Sequence, residues 1–246
     1  MVYIVFLFLV FLCWGSFLNV VAYRIIHDVP LSKKRSFCPH CKTTLSFLDL
    51  IPVLSWLALK GKCRYCKKKI SFLYPLIELL TAFSLTYLFI NDEYAIGYFF
   101  LFSALLVSVR TDLEEMLISR IFTLYVIPVA LLLSFFKLIP ISVYQSLFGA
   151  IIGFLVLFII NKIFYLLTKK EGIGEGDFDI LALIGSFLGP VGVFYSLFLA
   201  SISGSIIGII LMIFNNKTLQ SKLPFGPFLA IGAIIYYFCF TLRLIF

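Results

Sequence analysis

Val2–Ile26 reads VYIVFLFLVFLCWGSFLNVVAYRII, a run whose one charged residue, Arg24, comes at its end. A hydrocarbon core about 30 Å thick is crossed by about 20 apolar residues in a helix, because in lipid every backbone N–H and C=O must be paired within its own segment. The run therefore predicts a membrane-spanning helix. It has no basic n-region and no small-residue cleavage site before its charged end, so it is read as a retained helix rather than a signal peptide.

Working outward, similar runs lie at Leu73–Ile90, Ala95–Val109, Ile118–Phe136, Ile141–Leu167, Phe178–Leu188, Val191–Phe214 and Phe225–Phe246. They predict an all-α polytopic membrane protein of about eight transmembrane helices. Gly189-Pro190 is either a tight outer turn between the sixth and seventh or a kink within one long helix. Of 246 residues, 62% are hydrophobic and 13% charged, with a mean hydropathy of +1.11, which excludes a soluble domain. A closed barrel would show short alternating segments instead.

Basic residues concentrate in short cytosolic loops. Arg24–Lys69 carries eleven of the chain's 20 Lys and Arg, so this long loop is placed in the cytosol. Eight crossings also put Arg110, Arg120, Lys169, Lys170, Lys217 and Lys222 inside and leave both termini outside. The net charge of +8 is then explained by this bias and by anionic lipid, with no nucleic-acid partner.

The same loop holds Cys38-Pro-His-Cys41 and Cys63-Arg-Tyr-Cys66. Each CxxC turn aims two thiolates at one point, and two turns complete a tetrahedral four-sulfur zinc site with no open position. Two disulfides would conflict with the reducing cytosol. A closed site of this kind is structural, so the metal holds the loop's fold and performs no chemistry.

Carboxylates at membrane depth are costly and call for a functional explanation. Asp112 follows the third run in SVRTDLEEMLIS (108–119), and Asp177 opens the sixth in EGIGEGDFD (171–179). The predicted topology puts both at the cytosolic ends of their helices. Two carboxylates that meet and share one proton supply a base to activate water and an acid to protonate a leaving amine. Gly172, Gly174 and Gly176 let the backbone turn sharply and approach a neighbour, while the helix N-terminus favours a negative charge at Asp177. Alternatively Asp177 only caps its helix and Asp112 is a solvated loop charge. A transporter would need inverted repeats and deep polar residues, which are not seen here.

Taken together, these features resemble the bacterial type IV prepilin peptidase family, whose members are often both leader peptidase and N-methyltransferase. The resemblance runs through Gly15-Ser-Phe-Leu-Asn19-Val-Val-Ala-Tyr23-Arg24, the two CxxC pairs, Asp49-Leu-Ile-Pro52-Val-Leu-Ser55-Trp56 and Tyr74-Pro75-Leu-Ile-Glu78. It continues through Asp112, Gly174-Glu-Gly176-Asp177 and Leu223-Pro-Phe225-Gly226-Pro227-Phe228-Leu-Ala230. Two positions depart from it: Ser119 stands where the family usually has proline, and Asp179 where it commonly has lysine.

The resemblance implies that Asp112 and Asp177 are catalytic, and that the substrates are prepilins and pseudopilin precursors with a short basic leader. Cleavage would fall between a glycine and, usually, a phenylalanine at the cytosolic face of the bacterial inner membrane. It also implies methylation of the new N-terminus from S-adenosylmethionine. Residues 1–93 would form the methyltransferase part and 94–246 a six-helix protease core. Glu78 is the polar candidate for positioning the amine or cofactor, with Asn19, Tyr23 and Arg24, unless it only joins an interhelical hydrogen-bond cluster. Pro224-Phe225-Gly226-Pro227 reads as a break before the last helix, or as a lining of the substrate path. Around the aspartates, Arg110, Arg120, Lys169 and Lys170 face Asp112, Glu114, Glu115, Glu171, Glu175, Asp177 and Asp179, an acidic patch expected to attract a basic leader.

Overall fold

The computed structural model describes residues 1–32, 35–170, 172–215 and 223–241; Lys33, Lys34, Glu171, Lys217 and Lys222 lie outside the described residues, as does the end of the last predicted run. Among the described residues the secondary structure is helical, with no strand and only two isolated bridges, Phe37 with Thr44 and Lys62 with Lys69. The chain forms two compact units, Met1–Ala95 and Ile96–Phe246.

In the first unit, α1 (Val2–Ile26) packs along α3 (Leu73–Asn91). Gly15 makes the approach possible: a Cβ there would lie 2.8 Å from the Cα of Glu78. Between them runs the cysteine loop, with a 3-10 turn at Phe47–Leu50 and the short α2 at Leu54–Ala58. Side chains tie this loop to its surroundings. Arg24 Nη1 donates to the Leu31 carbonyl at 2.6 Å, Asn19 Nδ2 to the Tyr74 carbonyl at 3.0 Å, and Trp56 Nε1 to the Ile70 carbonyl at 3.2 Å.

The second unit contains α4 (Ala95–Glu115), α5 (Ile127–Phe135), α6 (Val143–Thr168), α7 (Glu175–Asn215) and α8 (Gly226–Tyr236), the last continued by a π-helical turn at Tyr237–Thr241. α4 is apolar on most faces and buries Tyr98, Phe102 and Leu105. It runs through Asp112 to Glu115, so this aspartate sits in its last turns rather than beyond the helix.

The run predicted over Ile118–Phe136 is helical only from a 3-10 turn at Leu124–Val126 onward. Pro128 is the reason: it lacks an N–H and crowds the carbonyl four residues back, so it is accommodated in the first turn of α5 and not inside a longer helix. α6 opens on a capping box, with the Ser142 N–H donating to Gln145 Oε1 at 2.9 Å and the Gln145 N–H to Ser142 Oγ at 3.3 Å.

α7 is not continuous. Gly189 has φ +72° and ψ −179°, a conformation open essentially to glycine alone. A Cβ on Gly185 would lie 2.7 Å from Cγ2 of Val193. Eight residues of unbroken helix would separate them by about 12 Å. The chain therefore folds back at Gly189 into two antiparallel arms, 175–188 and 190–215. Pro190 begins the second arm, where a missing N–H costs nothing. The first arm packs on α6, Gly149 against Gly185 and Gly153 against Leu181; the second packs on α8, Gly232 against Ser196.

Among the described residues, five helical stretches are long and apolar enough to cross a membrane: Val2–Ile26, Leu73–Asn91, Ala95–Glu115, Val143–Thr168 and Glu175–Phe214, the last of them interrupted at Gly189. Leu124–Phe135 and Gly226–Cys239 are shorter apolar helices.

Candidate active site and metal centre

In the second unit, two helix N-termini and one helix C-terminus meet. Asp112 comes from the end of α4, and its Oδ2 accepts the Gly226 N–H at 3.0 Å. That N–H opens α8 and would otherwise have no partner within the helix. Asp177 stands in the first turn of α7, so each carboxylate lies at the positive end of a helix dipole. A Cβ on Gly226 would fall 2.8 Å from Asp112 Oδ2 and 3.0 Å from Cδ1 of Ile180. Ile180 is one turn on from Asp177 and shares its face. The two carboxylates are electrostatic neighbours, both under a tenth exposed. Oδ1 of Asp177 is buried with no hydrogen-bond partner among the described residues.

Neither Gly174 nor Gly176 adopts a positive φ. Of the two uses expected of the glycines before Asp177, a sharp turn and a close approach, the second is seen at Gly176, where a Cβ would lie 2.6 Å from Cβ of Ile118. This brings the segment after α4 against the start of α7. The contact is reinforced by Arg120, whose Nη2 reaches Glu175 Oε2 at 3.0 Å and whose Nε lies 3.5 Å from Asp179 Oδ2. The extra negative charge of Asp179 is thus faced by a cation on the opposing segment. Arg110, expected among the cytosolic surface cations, is fully buried and pairs with Glu114 one turn on.

In the first unit the four Sγ atoms of Cys38, Cys41, Cys63 and Cys66 lie within 4.8 Å of one another, and those of Cys38 and Cys66 are 3.9 Å apart. Sulfurs about 2.3 Å from a tetrahedral metal are separated by about 3.8 Å, so this donor set fits such an ion. The two turns are built alike. Lys42 and Lys67, each just after a CxxC, have φ near +60° and donate their N–H groups to the carbonyls of Cys38 and Cys63, both at 3.0 Å. Hydrogen bonds from Thr43 pull the Cys41 thiol down to about 6, while burial pushes Cys38 up to about 11.

Asp49 ties the stretch between the two turns to the second of them. Its Oδ2 accepts the Ser46 N–H and hydroxyl, and its Oδ1 accepts Arg64 Nε at 2.7 Å, within the second CxxC. Burial would raise the Asp49 carboxyl, but the hydrogen bonds from Arg64 and Ser46 outweigh it and hold the group below the usual range.

Glu78 is buried in α3, and its Oε2 accepts the Val53 N–H at 2.7 Å; Ser16 of α1 also reaches its carboxylate. Val53 has φ +60° and ψ −52°, a strained conformation for a β-branched residue, held in place by this bond. Glu78 thus binds loop backbone as well as its helix neighbour. Tyr23, Arg24, Cys38, Cys63 and Glu78 line one pocket; Asn19 instead holds the Tyr74 carbonyl.

Gly226 is the partner of Asp112 that sequence reasoning does not single out. Its one signal is the proline-flanked motif Pro224-Phe225-Gly226-Pro227, which carries no hint of a partner 114 positions away.

The Bacterial Peptidase A24 N-terminal domain family matches residues 9–91, and the Type IV leader peptidase family matches residues 99–209. The chain is 38% identical to the prepilin leader peptidase/N-methyltransferase of Aeromonas hydrophila, over 93% of this chain and 88% of that one. It is 32% identical to the type 4 prepilin-like proteins leader peptide-processing enzyme of Escherichia coli O78:H11, over 89% and 88%. It is also 32% identical to the prepilin leader peptidase/N-methyltransferase of Pseudomonas aeruginosa, over 90% and 85%. No solved structure matches the chain.

Proposed function

This chain belongs to the type IV leader peptidase family, and on that premise we propose that it removes the basic leader of type IV prepilins and pseudopilin precursors with Asp112 and Asp177. One observation carries the reading: two buried carboxylates, from α4 and α7, converge where one of their oxygens has no protein partner among the described residues. A buried unmet acceptor costs about 1–3 kcal/mol and is tolerated where a substrate or water is to be held.

One carboxylate takes a proton from water as its oxygen attacks the scissile carbonyl carbon. The other, protonated, gives its proton to the amide nitrogen as the C–N bond breaks. Gly226 fixes Asp112 through its N–H, and Arg120 holds the start of α7 through Glu175 and Asp179. Glu114 is paired with Arg110 and the largely exposed Glu175 with Arg120, so among the described residues of this patch Glu115 is the exposed carboxylate outside an ion pair and is the first to meet a basic leader.

The fold-back at Gly189 supports counting the arms of α7 separately, which with the other apolar helices makes eight crossings, both termini outside and the aspartates facing the cytosol. The cysteine cluster holds one structural zinc in the cytosolic loop. The first unit carries N-methylation of the new N-terminus, and the second the protease. Incubating the purified protein with a prepilin and S-adenosylmethionine and weighing the products tests the whole reading. A loss equal to the leader and a gain of one methyl are expected; uncut precursor throughout would overturn it.

Gly226→Ala should lower kcat for prepilin cleavage by about 10- to 100-fold with little change in KM. Its new methyl would stand against the Asp112 carboxylate, and a displacement of about 1 Å at a catalytic group costs up to about 100-fold. Steady-state kinetics of the purified variant check this, and an unchanged kcat would mean that Asp112 does not depend on this contact.

A further inference from the structure

Inside the first unit, the end of α1, the cysteine loop and the start of α3 enclose a pocket with about 1010 Å³ of empty space, its mouth included. Its walls are mainly apolar, with the rings of Phe37, Trp56 and Tyr74 among them. Trp56 is fixed from behind: its Nε1 is bonded to Ile70, and its ring lies where a Cβ on Gly61 would meet it at 2.8 Å. A fixed ring can stack on a planar ligand without losing further side-chain freedom.

Four charged side chains line this pocket. Asp49 and Arg64 neutralise one another at 2.7 Å. Arg24 and Glu78 are each under a tenth exposed, and each is bonded to a backbone group, the Leu31 carbonyl and the Val53 N–H. Neither has a charged side-chain partner among the described residues. Two buried charges of opposite sign, facing one apolar space without counter-ions, are costly alone and complementary to a ligand that brings both opposite charges. The ligand so described has a carboxylate, a cationic centre and a flat aromatic group.

We propose that this pocket binds S-adenosylmethionine, with Arg24 taking the carboxylate of its methionine end, Glu78 facing its sulfonium and the aromatic wall receiving its adenine. The assignment rests on the methyltransferase reading above and adds to it the place and the groups that hold the donor. Cys38 and Cys63 also line the pocket, so the metal site forms part of its wall.

Equilibrium dialysis of the whole purified protein against labelled S-adenosylmethionine and S-adenosylhomocysteine, which lacks the sulfonium charge, tests this. Arg24→Gln should weaken both about tenfold, and Arg24→Lys should restore binding to within about threefold of the original. Glu78→Gln keeps an oxygen for the Val53 N–H and should weaken S-adenosylmethionine about tenfold while changing S-adenosylhomocysteine little. Equal weakening of the two by Glu78→Gln, or binding indifferent to both positions, would overturn the pocket while leaving the methyltransferase reading in place. No binding to the unmodified protein, together with no methyl transfer to a peptide beginning with phenylalanine, would remove that reading as well.

Discussion

Asn at either Asp112 or Asp177 is expected to reduce prepilin cleavage by about 10³-fold or more, with the protein still folded. The reaction needs one carboxylate to accept a proton from water and another to deliver one to the leaving amine, and each role contributes about 10²- to 10⁴-fold. An amide can do neither. In Asp112→Asn the side-chain amide would still offer an oxygen to the Gly226 N–H, and Asn is tolerated in the first turn of a helix, so the shape of the site survives either change. The loss should fall on kcat, because the leader and the apolar helix of the substrate meet other surfaces. Measuring kcat and KM of each purified variant on a prepilin decides the matter. Near-original cleavage by Asp177→Asn would exclude the two-carboxylate mechanism.

Removing the metal should have the next largest effect, and a selective one. Structural zinc sites of four thiolates supply about 10–16 kcal/mol of folding energy, more than a small loop without a core can replace. Cys63→Ser, or exhaustive chelation, should therefore unfold the segment around the two CxxC turns and bring methyl transfer down to background. Prepilin cleavage should persist, since all four cysteines belong to Met1–Ala95 and both aspartates to Ile96–Phe246. Elemental analysis of fresh protein should find about one zinc per chain. Absence of metal with four titratable thiols would refute the site, and parallel loss of cleavage and methylation would show that the loop serves both activities.

What could be read without the structure was encoded over short distances along the chain. The apolar runs declare helices because the bilayer forces backbone groups to pair within a segment, and a run long enough to span needs no knowledge of its neighbours. The paired CxxC turns declare a metal site because each brings two thiolates together by local geometry. Asp112 and Asp177 stand out because carboxylates beside such runs are expensive. The run read as one span over Ile118–Phe136 passed through Pro128, whose lack of an N–H was the local sign that the helix starts beside it and not at Ile118.

Only the tertiary structure decided how these pieces are used. Gly189-Pro190 allowed a kink or a reversal, and the packing of Gly185 against Val193 selects the reversal. The Gly226 N–H meets Asp112 because the start of α8 is brought to the end of α4, and Arg120 faces Asp179 because Gly176 lets Ile118 come close. Arg110 looks like a surface cation by its position in the chain, yet burial and a partner one turn away make it an interior one. Glu78 finds its donor in a loop, at a strained Val53 that no propensity would place there. In each case the deciding interaction joins groups that the sequence lists separately, and its energy depends on which helices approach closely enough to exclude water between them.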